Sequence, residues 1–196
     1  MFLLGLTGSI GMGKSTTAQL FADQGCAVWD ADAAVHRLYA ESGLAVPAFR
    51  SAFPDAVVDG AISRSRLKEI IAADPTALKR IEQIVHPLVG QDRTAFLDQA
   101  TADIVVLDIP LLFETGGNTR MDAVACVLTS EQIQQDRVME RGSMTQAQFE
   151  TIRAKQMPAA EKAARADYVI VTDTLEHARA QVQDVVADIR GKLANA

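Results

Sequence analysis

The chain has 196 residues, 48% of them apolar and 22% charged, which suits one α/β domain with an insertion and a full core. Its 19 basic and 25 acidic side chains leave a net charge of −6, which argues against a nucleic-acid footprint and leaves any phosphate chemistry to local basic residues. No apolar run approaches the length of a membrane span, and Met1 leads straight into a core strand with no room for a signal peptide, so the expectation is a cytoplasmic protein with neither membrane nor nucleic acid as partner.

The first strand is predicted over Phe2 to Thr7, apolar at nearly every position, as a central strand covered on both faces should be. Gly8-Ser9-Ile10-Gly11-Met12-Gly13-Lys14-Ser15 follows it and reads G-x-x-x-x-G-K-S, the phosphate-binding loop, with an amphipathic helix opening at its end. The glycines let the backbone curl until its N–H groups face one anion, and the helix directs its positive end to the same place. Lys14 reaches the β- and γ-phosphates as a point charge, and the Ser15 hydroxyl is placed to ligate Mg²⁺. The helix ends near Gly25, and the second strand, Cys26 to Asp30, closes on Asp30-Ala31-Asp32 before a helix from about Ala33 to Glu41.

Residues 42 to 100 have a different texture. Turn signals at Ser42-Gly-Leu, Phe53-Pro-Asp and Asp59-Gly-Ala punctuate helical pattern, with no strand of any strength, and Pro87 should break or kink the last helix after His86. This segment reads as a helical insertion that carries the second substrate. The third strand, Asp103 to Asp108, leads into the apolar loop Ile109-Pro-Leu-Leu-Phe-Glu114. The fourth runs from Ala123 to Leu128, and Ser130 caps a helix towards Arg141. Thr145 caps the next helix, Pro158 ends it, and a fifth strand at Tyr168 precedes a helix from Leu175 to Leu193 with one apolar face. Cys26 and Cys126 sit in apolar runs without metal-ligand neighbours and read as buried free thiols.

A phosphate loop alone does not separate switches, motors and kinases. The Asn-Lys-x-Asp motif of guanine-specific switches is absent. A small-molecule kinase needs a base near the acceptor hydroxyl, an acceptor pocket and mobile arginines for the transferring phosphoryl group. Asp30 and Asp32 offer the base, although alternation turns only one of them towards the site and does not say which; Arg137 and Arg141, four apart on one helical face, offer the arginines. Asp108 ends the third strand, where an acid can reach Mg²⁺ through water. On chemistry alone His86 reads as a helix-terminal histidine balancing the dipole.

Taken together, Leu6-Thr-Gly-Ser-Ile-Gly-Met-Gly-Lys-Ser, Asp30-Ala-Asp, Ile84-Val-His-Pro-Leu, Asp108-Ile-Pro-Leu-Leu-Phe-Glu, Arg137 to Arg141 and Gln156-Met-Pro resemble the dephospho-CoA kinase family over nearly the whole chain. The resemblance implies a P-loop NTPase fold, with a five-stranded parallel sheet flanked by helices, a helical substrate-binding insertion and a helical lid. The corresponding division is a nucleotide-binding core of 1–41, 101–136 and 159–196, an insertion of 42–100 that binds the CoA moiety, and a lid of 137–158.

It implies ATP and Mg²⁺ as cofactors and phosphorylation of the ribose 3′-hydroxyl of dephospho-CoA, the last step of coenzyme A synthesis. Asp32 takes the base role by resemblance. ATP contacts fall to Gly11, Met12, Gly13, Lys14, Ser15 and Thr16, joined by Arg137 and Arg141, and acceptor contacts to Thr7, Asp32, His86, Leu111, Leu112 and Glu114. Three positions depart from the usual pattern. His36 stands where the family has an arginine, with Arg37 one later; Thr172-Asp173-Thr174 replaces Asn and Gly near adenine; and the lid turn is Arg141-Gly142-Ser143.

Overall fold

The computed structural model describes residues 1–195. Chain order gives β1 (Phe2–Thr7), α1 (Lys14–Asp23), β2 (Ala27–Asp30), α2 (Ala31–Tyr39), α3 (Val46–Ala52), β3 (Val57–Val58), β4 (Ala61–Ile62), α4 (Arg64–Ala73) and α5 (Ala77–Gln99). It continues with β5 (Ile104–Asp108), β6 (Ala123–Leu128), α6 (Glu131–Glu140), α7 (Gln146–Lys155), α8 (Ala159–Arg165), β7 (Tyr168–Val171) and α9 (Leu175–Ala194). Two compact units emerge, residues 1–29 with 100–196, and residues 30–99.

The first unit is built on a five-stranded parallel sheet of order β2-β5-β1-β6-β7. β1 lies between β5 and β6, with Leu4 opposite Val106 on one side and Ala123 on the other, so both its edges are paired. That central place explains why alternation is missing from the sequence of β1 and β5: Leu4, Leu6 and Ile104 through Leu107 are all fully or almost fully buried. One large core joins the strand residues Leu4, Leu6, Val106 and Val127 to Phe21 of α1 and to Val182, Val186 and Ile189 of α9. The apolar stripe expected on the last helix is therefore core packing. The parallel register brings the ends of β1 and β5 to the same edge of the sheet, where the phosphate loop begins.

The second unit differs from expectation at three points. It starts at Asp30, not at residue 42, because α2 packs Leu38 into a core of its own with Ala45, Phe49, Phe53, Leu67 and Val85. Arg37 adds a tie to α5 through Asp92, with Nε donating to Oδ2 at 3.1 Å. It also contains a short hairpin, Val57–Val58 paired antiparallel with Ala61–Ile62, joined through Asp59 and Gly60 at φ 48° and 80°. Strands of two residues are too short for alternation to betray them. Finally, Pro87 does not end the helix, since α5 runs unbroken from Ala77 to Gln99. Ile81 and Val85 before the proline, and Leu88 and Val89 after it, pack on the same apolar cluster, and that burial offsets a cost of about 3 kcal/mol for an internal proline.

In the first unit, α7 ends at Lys155, ahead of Pro158, which stands at the N-cap of a further short helix, α8, not expected from the sequence.

Candidate active site

Gly11 and Gly13 both have positive φ, 76° and 88°, which is what the curl of the phosphate loop demands. Close packing forbids a side chain at either. A Cβ on Gly11 would stand 2.6 Å from Val138 Cγ2 and 2.9 Å from the Gln134 carbonyl oxygen, and one on Gly13 would stand 3.0 Å from Thr172 Oγ1. α1 then starts at Lys14, with Ser15 and Thr16 exposed in its first turn and no acidic side chain there to compete for an anion.

Lys14 forms an ion pair with Asp108 at the end of β5; the ammonium side chain is 14% exposed and the carboxylate is fully buried. A buried carboxylate beside the loop cation keeps that cation oriented over the loop, and it is the natural neighbour for a second positive charge. Ser15 and Asp108 supply hydroxyl and carboxylate oxygens, hard donors of the kind Mg²⁺ prefers. Among the described residues there is no group of three or more His, Cys, Asp or Glu that could hold a metal.

On the far side of the loop, α6, capped by Ser130, brings Arg137 inwards, and Arg141 follows at its C-cap. Arg137 donates from Nη1 to Thr172 Oγ1 at 3.1 Å and from Nη2 to the Thr172 carbonyl. Arg137, Arg141, Thr16, Thr172 and Leu175 take part in lining a cavity of about 350 Å³ beside Gly13. The departure Thr172-Asp173-Thr174 thus forms one wall of the space next to the phosphate loop, and Thr174 also caps α9 by accepting from His177 N–H at 3.1 Å. The segment after α6 is ordered by a capping box at Thr145 and Gln148 and by Phe149, which is buried.

The loop after β5 is fixed from beneath. Thr7 Oγ1 donates to the Pro110 carbonyl at 3.0 Å, and Lys162 Nζ donates to the same oxygen at 2.9 Å. Lys162, fully buried on α8, also pairs with Glu114 at 2.9 Å, and Glu114 accepts from Met157 N–H at 3.0 Å. Burial pushes the Glu114 carboxyl up, but the Lys162 ammonium and the Met157 amide outweigh it and hold it below its ordinary value. Of the expected acceptor residues, Leu111 is exposed, whereas Thr7 and Leu112 are fully buried and act on the loop from below. Lys162 had no signal in the sequence: in Ala159-Ala-Glu-Lys-Ala-Ala-Arg165 it reads as one more solvated helix charge.

In the second unit, Asp30 is the N-cap of α2, its Oδ1 accepting from Ala33 N–H at 2.9 Å. Asp32, in the first turn, is exposed and makes no hydrogen bond or ion pair among the described residues. His36 and His86 are exposed as well, the latter directly before Pro87 on α5. Burial pushes the Cys26 and Cys126 thiols up to about 11, so neither is a nucleophile at neutral pH.

The family model for dephospho-CoA kinase matches residues 2–177. A dephospho-CoA kinase from Ruegeria pomeroyi is 72% identical over 189 residues, covering 96% of both chains, and one from Cereibacter sphaeroides is 57% identical with the same coverage. The crystal structure of TT1252 from Thermus thermophilus is similar at a TM-score of 0.85 and 32% identity, over 95% of this chain and 96% of that one.

Proposed function

The chain belongs to the dephospho-CoA kinase family, and from that premise we propose how its residues divide the reaction among themselves. The activity is ATP-dependent phosphorylation of dephospho-CoA, the final step of coenzyme A biosynthesis. The acceptor is the ribose 3′-hydroxyl. Asp32 accepts its proton as the oxygen attacks the γ-phosphorus and the bond to ADP breaks. Lys14, Arg137 and Arg141 offset the charge on the transferring group, and the amides of Gly11 to Thr16 hold the phosphates in line. Mg²⁺, when bound, would neutralise phosphate charge, and Ser15 and Asp108 are the residues whose oxygens would hold it there.

The observation that carries the base assignment is the unequal fate of two neighbouring carboxylates. Asp30 is committed to capping α2, and Asp32 is left exposed, without a hydrogen-bond or ion-pair partner among the described residues. Leu111 and Glu114 on the loop after β5 are assigned to the acceptor, with Thr7 and Leu112 supporting that loop, and His86 is assigned to it by the family motif alone. Two buried free thiols support a reducing, cytoplasmic setting.

A coupled ADP-release assay with ATP and Mg²⁺ tests the reading, with dephospho-CoA, shikimate, gluconate and no acceptor offered in parallel. Turnover should occur with dephospho-CoA alone, and the product should be CoA. ADP release that ignores the acceptor would overturn it.

A further inference from the structure

The two positive-φ glycines of the phosphate loop each follow a carbonyl that a side chain holds. Gln134 Nε2 donates to the Ile10 carbonyl at 2.6 Å, and Thr172 Oγ1 donates to the Met12 carbonyl at 2.7 Å. A trans peptide is planar, with its N–H pointing opposite to its C=O. The carbonyl of Ile10 and the amide of Gly11 belong to one such plane, and the carbonyl of Met12 and the amide of Gly13 belong to another. Holding either oxygen therefore aims the following glycine N–H.

Glycine makes this necessary. A peptide plane that precedes glycine can flip at little steric cost, because glycine accepts φ of either sign. The Ile10–Gly11 and Met12–Gly13 planes are the two in the loop where such a flip would turn an anion-binding N–H away and present a carbonyl oxygen to phosphate.

Both donors are buried, Gln134 to 2% and Thr172 to 5% exposure, and both have their geometry set by other contacts. Arg137 Nη1 donates to Thr172 Oγ1, so the single hydroxyl proton must point elsewhere, and the Met12 oxygen is the nearest acceptor at 2.7 Å. Gln134 sits in α6 against Gly11, and Gln156 Oε1 accepts from the Ile10 N–H at 3.1 Å, fixing the plane before it.

We propose that Gln134 and Thr172 are positioning residues that lock the Ile10–Gly11 and Met12–Gly13 peptide planes and so aim the Gly11 and Gly13 amides at the nucleotide phosphates. The inference rests on the phosphate-loop reading above and adds two residues that touch no substrate in this scheme.

The test uses the full-length enzyme, ADP as the probe, and the amide resonances of Gly11, Gly13 and Lys14. Wild type should show ADP-induced shifts at all three; their absence there would overturn the phosphate-loop reading itself. Thr172→Val, which keeps the shape and removes the hydroxyl, should lose the Gly13 shift and keep those of Gly11 and Lys14. Thr172→Ser should restore it. Gln134→Met should lose the Gly11 shift alone. In steady state, Thr172→Val should raise KM for ATP about three- to tenfold, as expected for one hydrogen bond; because the valine also removes an acceptor of Arg137, kcat should fall as well, and Thr172→Ser should restore both. The proposal is overturned if Thr172→Val keeps the Gly13 shift, or if Thr172→Ser behaves like Thr172→Val. The Val and Ser pair decides the matter even where Gln134→Met does not fold.

Discussion

Asp30 and Asp32 are the same side chain two positions apart, and their surroundings give them different work. Asp30 accepts a backbone N–H, which satisfies one orphan donor of α2, while Asp32 offers an exposed carboxylate in the first turn. Asp32→Asn should lower kcat by about 10³-fold, within the range for loss of a general base, while isothermal titration finds ATP affinity within about twofold of wild type. Transfer that survives the substitution would remove the base role. Glu114 makes a second prediction. A carboxyl held below its ordinary value contributes stability above its unfolded pKa and loses it as pH falls through the folded one. Glu114→Gln should therefore be less stable than wild type near neutrality by about 2 kcal/mol, with the gap closing below about pH 4. Denaturant midpoints across that range measure it; a gap that stays constant would mean that the carboxylate charge contributes nothing.

Among the elements, legibility followed length. β1, β5 and β6 carry uninterrupted apolar runs, and α9 repeats its stripe over twenty residues, so the sequence shows both plainly. The hairpin of β3 and β4 has two residues a side, and α8 has seven, too few for either period to be heard above turn signals. At Pro87 the expected alternatives are a break or a kink, and the break does not occur: the proline announces a local cost, but the apolar contacts that outweigh it come from other helices. The site divides the same way. Lys14, Ser15 and Asp32 stand inside motifs, whereas Lys162, Gln134 and Thr172 act through partners far away in the chain. A lid role for 137–158 remains our proposal, and Gln156 at the end of α7 contacts the phosphate loop. Hydrogen exchange over residues 137–156 should slow on addition of ATP, as closure excludes water from the reacting groups. Equal exchange with and without ATP would argue that this segment does not close.

At the scale of the molecule, a net charge of −6 coexists with a polyanionic substrate because the cations are local: Lys14, Arg137 and Arg141 all belong to the unit that carries the phosphate loop. The chain leaves that unit after Trp29 and returns at Ala100, so the second unit is bounded by two crossings of the backbone. Trp29 is the only tryptophan, is 2% exposed, and stands at the first crossing, three residues before Asp32. The protein thus has a built-in fluorophore in β2, where the chain passes from the first unit into the second. Its emission should be blue-shifted and poorly quenched by acrylamide, and saturating dephospho-CoA with a non-hydrolysable ATP analogue should change its intensity, whereas Trp29→Phe should be dark. A spectrum indifferent to both ligands would mean that the surroundings of Trp29 do not respond to them. A responsive one would allow binding of each substrate to be followed in stopped flow without any attached dye.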